Sequence, residues 1–272
     1  MDDYVEPGRA EFVERLKSVN LGRQRLLSTV NLLGSVMATP AGRLQPAPRS
    51  RLADVVYDQI RDGVIQGLLP LGSRLIETQL ASDLGVSRGP IRLAIQRLIE
   101  EGLVVERPHQ GAVVREFAAA DLVDLYNVRL GIETVAIRLA TRIRMDVEPL
   151  RAQVALMDAG AEAGDAVAVL RHEVEFHLAL CEGCGNRLLA NMFRGLEGQL
   201  LMALTQDDVV HEDLREAGEI HRVLIAAIES GDEYAAAEAL QQDVLSAVNL
   251  TISRLGGDPG SLLPRTTYRS AD

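Results

Sequence analysis

Leu84-Gly85-Val86-Ser87-Arg88-Gly89-Pro90-Ile91-Arg92-Leu93-Ala94-Ile95-Gln96-Arg97-Leu98 decides how this 272-residue chain is read. Gly85 suits the left-handed turn that closes one helix, and Ser87 is a favoured N-cap for the next. Pro90 is tolerated in a first turn, where backbone donors lack partners. Ile91, Ile95 and Leu98 recur at i, i+4 and i+7 and predict a buried stripe. Arg88, Arg92 and Gln96 share another face, with no acidic residue between Asp83 and Glu100, and such a face suits phosphates and guanine edges.

The flanks extend the pattern. Upstream, Glu77 to Asp83 carries Leu80, Ala81 and Leu84 at helical spacing and ends at Gly85, which is helix-turn-helix spacing. Downstream, Gly102 to Arg107 and Ala112 to Arg115 are β-branched runs separated by Pro108-His109-Gln110-Gly111, so a two-stranded wing is expected after the reading helix. An ordinary helical pair with a hairpin, its arginines merely solvated, is the competing description.

Residues 51–115 resemble the winged helix of the GntR family of bacterial transcription regulators. The resemblance rests on Gly72, Leu75, Glu77, Leu80-Ala81, Gly85-Val86-Ser87-Arg88 and Pro90-Ile91-Arg92. Position 89, usually threonine in that family, is glycine here, which removes one expected hydroxyl contact to phosphate. The resemblance implies DNA contacts from Ser87, Arg88, Gly89, Pro90, Arg92 and Gln96. It also implies a wing tip of His109, Gln110 and Gly111 that enters the minor groove.

A net charge of −11 at first argues against a nucleic-acid partner. Its distribution removes the objection: residues 49–117 hold 9 basic and 9 acidic side chains, whereas residues 118–272 hold 13 and 25. Binding depends on local phosphate contacts and not on total charge. Aromatics make up 3% of the chain and there is no Trp, so the core must be built from Leu, Ala, Val and Ile, which favours helices. No run reaches the roughly 18 apolar residues of a membrane span, and Leu26 to Ala38 only faintly mimics a signal-peptide core. Two cysteines, Cys181 and Cys184, are too few and too close for a disulfide framework. A soluble protein of the cytoplasm is the expectation.

Four segments are expected. Residues 1–48 form an extension with candidate helices over Arg9 to Val19 and Gly22 to Met37 and a Pro/Gly linker; docking on the core, DNA contact through Arg9, Arg15, Lys17, Arg23 and Arg25, and partial disorder all stay open for it. Residues 49–117 form the winged helix-turn-helix. Residues 118–255 read as six helices, with breaks near Arg144, Gly160 to Gly164, Gly183 to Asn186, Thr205 to Asp208 and Gly231. Residues 256–272 read as a loose tail. The fold class is therefore mainly α, a winged helix followed by an all-α bundle.

Within the bundle, Glu173 and His177 lie one helical turn apart, and His221 and Asp243 follow at spacings of 44 and 22 residues. Imidazole and carboxylate together suit a divalent transition metal. The bundle resembles the FCD effector domain in its six-helix form, whose pattern is an Asp and a His four apart followed by two further His. Glu173 and Asp243 stand where that family has Asp and His, while His177 and His221 match. The resemblance implies a site for zinc, nickel or manganese, against which a hydrogen-bonded polar cavity without metal stays open. Arg129 falls on the inward stripe of the first bundle helix, with Glu133 one turn on. The resemblance implies that this Arg contacts an acidic ligand, and an internal Arg129–Glu133 salt bridge is the alternative.

Two motifs are set aside. His172-Glu173-Val174-Glu175-Phe176-His177 is one residue too long for a zinc-protease HExxH, since its histidines fall about 140° apart around a helix. Cys181-Glu182-Gly183-Cys184 is a lone CxxC with no second pair, better suited to burial than to metal or redox work. The sequence thus points to a homodimeric transcription regulator that binds palindromic operator DNA, responds to a small carboxylate and is not an enzyme. A metal-dependent hydrolase using Glu173 or Glu175 as base, with the winged helix as an accessory module, is the rival.

Overall fold

The computed structural model describes residues 50–205 and 214–262, apart from the side chains of Ser50, Arg51 and Ala247. The N-terminal extension, its expected helices and basic residues, and the chain beyond residue 262 lie outside the described residues. Two compact units meet at Val114 and Arg115.

The first unit comprises α1 (Ser50–Ile65), α2 (Glu77–Leu84), α3 (Arg88–Glu100), β1 (Val104–Arg107) and β2 (Gly111–Val114). Val56, Ile60 and Val64 on α1 recur every four residues and bury one stripe against Ile91, Ala94, Ile95 and Leu98 of α3. Gly85 closes α2 in the left-handed conformation (φ 65°, ψ 33°), where any side chain would be strained. Ser87 occupies the N-cap position of α3 with extended backbone, but its hydroxyl caps no backbone donor. β1 and β2 pair antiparallel with Val104 opposite Val114, and the stretch from Gly72 to Leu75 adds backbone hydrogen bonds along β2. That edge carries the wing on the same core as the reading helix.

The second unit contains α4 (Ala119–Ile143), α5 (Glu148–Ala163), α6 (Ala166–Gly183), α7 (Arg187–Arg194), α8 (Glu197–Thr205), α9 (Leu214–Ser230) and α10 (Glu233–Arg254). The 25-residue α4 is its spine, packed chiefly against α10 and also against α6. Of the six expected helical segments, the fourth is broken at Gly195 and Leu196, giving seven helices among the described residues. The two helices differ in burial: α7 keeps Leu188 and Met192 exposed, whereas Leu200 to Leu204 of α8 are buried all round.

The expected loose tail is also corrected in its first part. Pro259–Ser261 forms a 3-10 turn, Leu262 is buried, and Gly257 passes so close to Ala119 and Ile252 that a Cβ there would not fit.

Candidate functional sites in the two units

On the first unit, Ser87, Arg88, Gly89, Arg92 and Gln96 are all exposed on the face of α3 turned away from the core, with Pro90 half-buried at its edge. His109, Gln110 and Gly111 are exposed at the hairpin tip, where His109 and Gly111 both take positive φ. The stretch thus carries its candidate DNA contacts outward in two places, on one helix face and one turn.

One expectation for that face needs correcting. Arg92 is not left without a counter-charge, because Glu77 on α2 accepts from its Nε at 3.1 Å and its Nη2 at 2.9 Å. Arg92 remains largely exposed, and the Glu77 carboxyl is held below its usual range by hydrogen bonding to Arg92. A guanidinium has five N–H donors, so the pair leaves the Nη1 edge available to a base or phosphate. Gln96 donates to Glu100 at 3.2 Å, and Arg97 turns away to Asp54 at 2.8 Å, over the Tyr57 ring. Helix packing brings Glu77 to a residue 15 positions away, which inspection of the α3 sequence alone misses.

On the second unit, α4, α6, α9 and α10 build a buried polar cluster. Arg129 Nε donates to Glu133 Oε1 at 2.6 Å, both side chains being almost wholly enclosed. Glu133 Oε2 lies 2.5 Å from His177 Nδ1, an ion-pair contact that does not meet hydrogen-bond geometry at either atom. His177 Nε2 faces His221 Nε2 at 3.3 Å and Asp243 Oδ2 at 3.4 Å. His221 Nδ1 must in turn donate to the carbonyl oxygen of Ala217 at 2.7 Å, since a carbonyl only accepts. Both rings are thereby oriented with Nε2 toward one point, beside the Asp243 carboxylate.

Burial, and to a lesser degree Arg129, would push the His177 imidazole down, but Glu133 and Asp243 together outweigh them, so the ring is held up at about 9. Asp243, which burial would push up, is held down at about 2 by His177 and His221, with Arg129 adding to the effect. Burial opposes the Arg129 charge, yet Glu133, Tyr126, Glu173 and Asp243 keep the guanidinium firmly protonated. Its Nη1 is buried with no hydrogen-bond partner. A buried donor of this kind normally has a partner, protein or otherwise.

His177, His221 and Asp243 can each offer one atom within 4.8 Å of the others, and they are the only group of this kind among the described residues. Glu173 falls outside it, which corrects the four-ligand expectation. It is buried one turn before His177, near enough to Tyr126 and Arg129 to act on their charges. The donor set fits a divalent cation: two imidazole nitrogens and a carboxylate converge on one point, and a metal ion there would compete with protons for them. The orienting partners Glu133 and Ala217 are the outer hydrogen-bond partners that metal-bound histidines require. The sequence by itself pairs Glu133 only with Arg129, and its inward position seven residues after Tyr126 is the one local sign of the contact with His177.

The motifs set aside stay outside this cluster. His172 turns to Gln153 Oε1 at 3.0 Å, toward α5. Cys181 and Cys184 are buried free thiols, Cys184 Sγ donating to the Cys181 carbonyl, and burial raises the Cys181 thiol out of the reactive range.

Residues 52–114 match the family model "Bacterial regulatory proteins, gntR family", and residues 124–245 match the FCD domain. The chain is 32% identical over 212 residues to the "Probable D-xylose utilization operon transcriptional repressor" of Paenarthrobacter nicotinovorans, covering 77% of this chain and 92% of that protein. It is 30% identical over 231 residues to the HTH-type transcriptional regulator Mce2R of Mycobacterium tuberculosis, covering 77% and 95%. The solved structure of Escherichia coli McbR/YncC superposes with a TM-score of 0.63 at 23% identity, over 75% of this chain and 98% of that one, a likeness of fold.

Proposed function

Because the chain belongs to the GntR family of bacterial regulatory proteins, with an FCD domain after its DNA-binding unit, and is a DNA-binding transcription regulator and not an enzyme, we propose how its helical unit controls operator binding. A small carboxylate enters the bundle, pairs with Arg129 and lies beside a divalent transition metal held by His177, His221 and Asp243. The observation that carries this reading is the pairing of two unmet needs in one buried cluster: converging metal-competent atoms and an unsatisfied Arg129 Nη1. An Arg fork matches a carboxylate in two hydrogen bonds, and a bound metal would supply a second positive centre for it. Glu173 adds negative charge on the Arg129 side and limits how many further anionic groups a ligand can bring.

The protein acts as a homodimer in the cytoplasm, because one winged helix reads few base pairs and a two-fold protein matches a palindrome. The named relatives regulate transcription, and a hydrolase reading has no support among them. Elemental analysis of purified protein tests the metal. About one zinc, nickel or manganese per chain is expected, lost in the double variant His177→Ala/His221→Ala. Absence of metal after reconstitution at neutral pH, with no rise in melting temperature, would leave a hydrogen-bonded cavity as the better description.

A further inference from the structure

Leu93 is 59% exposed in the middle of α3. A lone exposed leucine is ordinary on a protein surface. The position of this one is not. Ile91, Ala94, Ile95 and Leu98 form the buried stripe of α3, and Leu93 lies about 150° around the helix from the centre of that stripe. It therefore stands near the pole of the outward face; Gln96 and Arg92 lie about 60° and 100° round to one side, Arg88 farther on that side, and Arg97 about 40° to the other. Gly89, one turn earlier, is on the same line, and a Cβ placed there would meet nothing within 4 Å. Helical side chains lean toward the N-terminus, so Leu93 borders this open space.

We infer that Leu93 is a specificity-determining residue, reading the C5-methyl group of a thymine in the major groove of each operator half-site. The inference rests on the chain's being a DNA-binding regulator of helix-turn-helix type, whose second helix enters that groove. Base edges there present donors and acceptors to Arg88, Arg92 and Gln96. The thymine methyl is the only apolar group that the four standard bases offer. A leucine at the pole has nothing to give a donor or an acceptor and would leave it without a partner. Against a methyl it removes apolar surface from both sides. Gly89 leaves room for that methyl, which a larger side chain at the same place would fill.

The test uses the full chain. Sequences are selected from a randomised duplex library, and each thymine of the selected half-site is then replaced singly by deoxyuridine, which deletes only the methyl. At one position the wild-type protein should lose affinity by about fourfold, the factor carried by burying one methyl-sized group. Leu93→Ala and Leu93→Gln should bind thymine and uracil there equally. Both should melt as wild type does, because the side chain packs on nothing in the core. If every deoxyuridine duplex binds the wild type normally, or if the discrimination persists in both variants, the inference about Leu93 is wrong while DNA recognition stands. Selection that returns no preferred sequence would overturn both.

Discussion

Each unit of the molecule pairs one candidate site arginine with one glutamate, and the two pairs differ in their surroundings. Arg92 and Glu77 meet on an exposed face with two hydrogen bonds between α2 and α3. Arg129 and Glu133 meet one turn apart on α4, enclosed on all sides and coupled onward to His177. Water screens the first pair, so it can open when DNA offers a competing anion. The second cannot be opened without stranding a charge in a low-dielectric interior. The reading face is accordingly adjustable, and the cluster in the bundle is a fixed framework, which any ligand of the kind proposed would have to fit.

Glu133→Gln puts the largest weight on this contrast. It leaves the Arg129 guanidinium and the His177 ring without their shared counter-charge, and a loss of about 3–5 kcal/mol in urea unfolding is expected. A loss no larger than that of a surface substitution would mean that water reaches the cluster and that the two pairs are alike. In the first unit, Arg88→Ala is expected to weaken binding to the selected operator by about 1–3 kcal/mol, read by fluorescence anisotropy, with helicity unchanged. Undiminished operator affinity would remove α3 from its reading role.

Arg129→Lys keeps the charge but loses the fork. In a panel of small mono- and dicarboxylates, those that raise the melting temperature of the wild type should lose most of that effect, while operator affinity without ligand is retained. An unchanged response would make Arg129 structural. The smallest change is expected from Glu77→Ala, which frees Arg92 for phosphate. Unfolding should be unaltered, and the slope of log affinity against log salt should steepen by about one counterion. An unchanged slope would show that Arg92 is already released from Glu77 when the protein binds DNA.

Where a residue's neighbours in sequence are its neighbours in space, the chain was legible. Gly85 marked the end of α2, and Ser87, Pro90 and the Ile91-Ile95-Leu98 stripe marked the start and the buried side of α3, because caps, turns and helical periodicity are local properties. The hairpin was readable for the same reason, as were most breaks in the bundle, where glycines take positive φ. The break after α7 was not, since Gly195 there keeps a right-handed conformation (φ −67°), which leaves no local signal for a helix end. Ligand chemistry was likewise partly visible: His177, His221 and Asp243 are metal-competent residue types wherever they occur. Packing of α6, α9 and α10 decided that these three converge and that Glu173 does not, and packing of α2 on α3 decided that Arg92 has a partner. Sequence by itself determined the local elements and their order, through torsional preference and periodic burial. Only the tertiary structure decided which charges meet, because those distances depend on side chains from helices far apart in the chain.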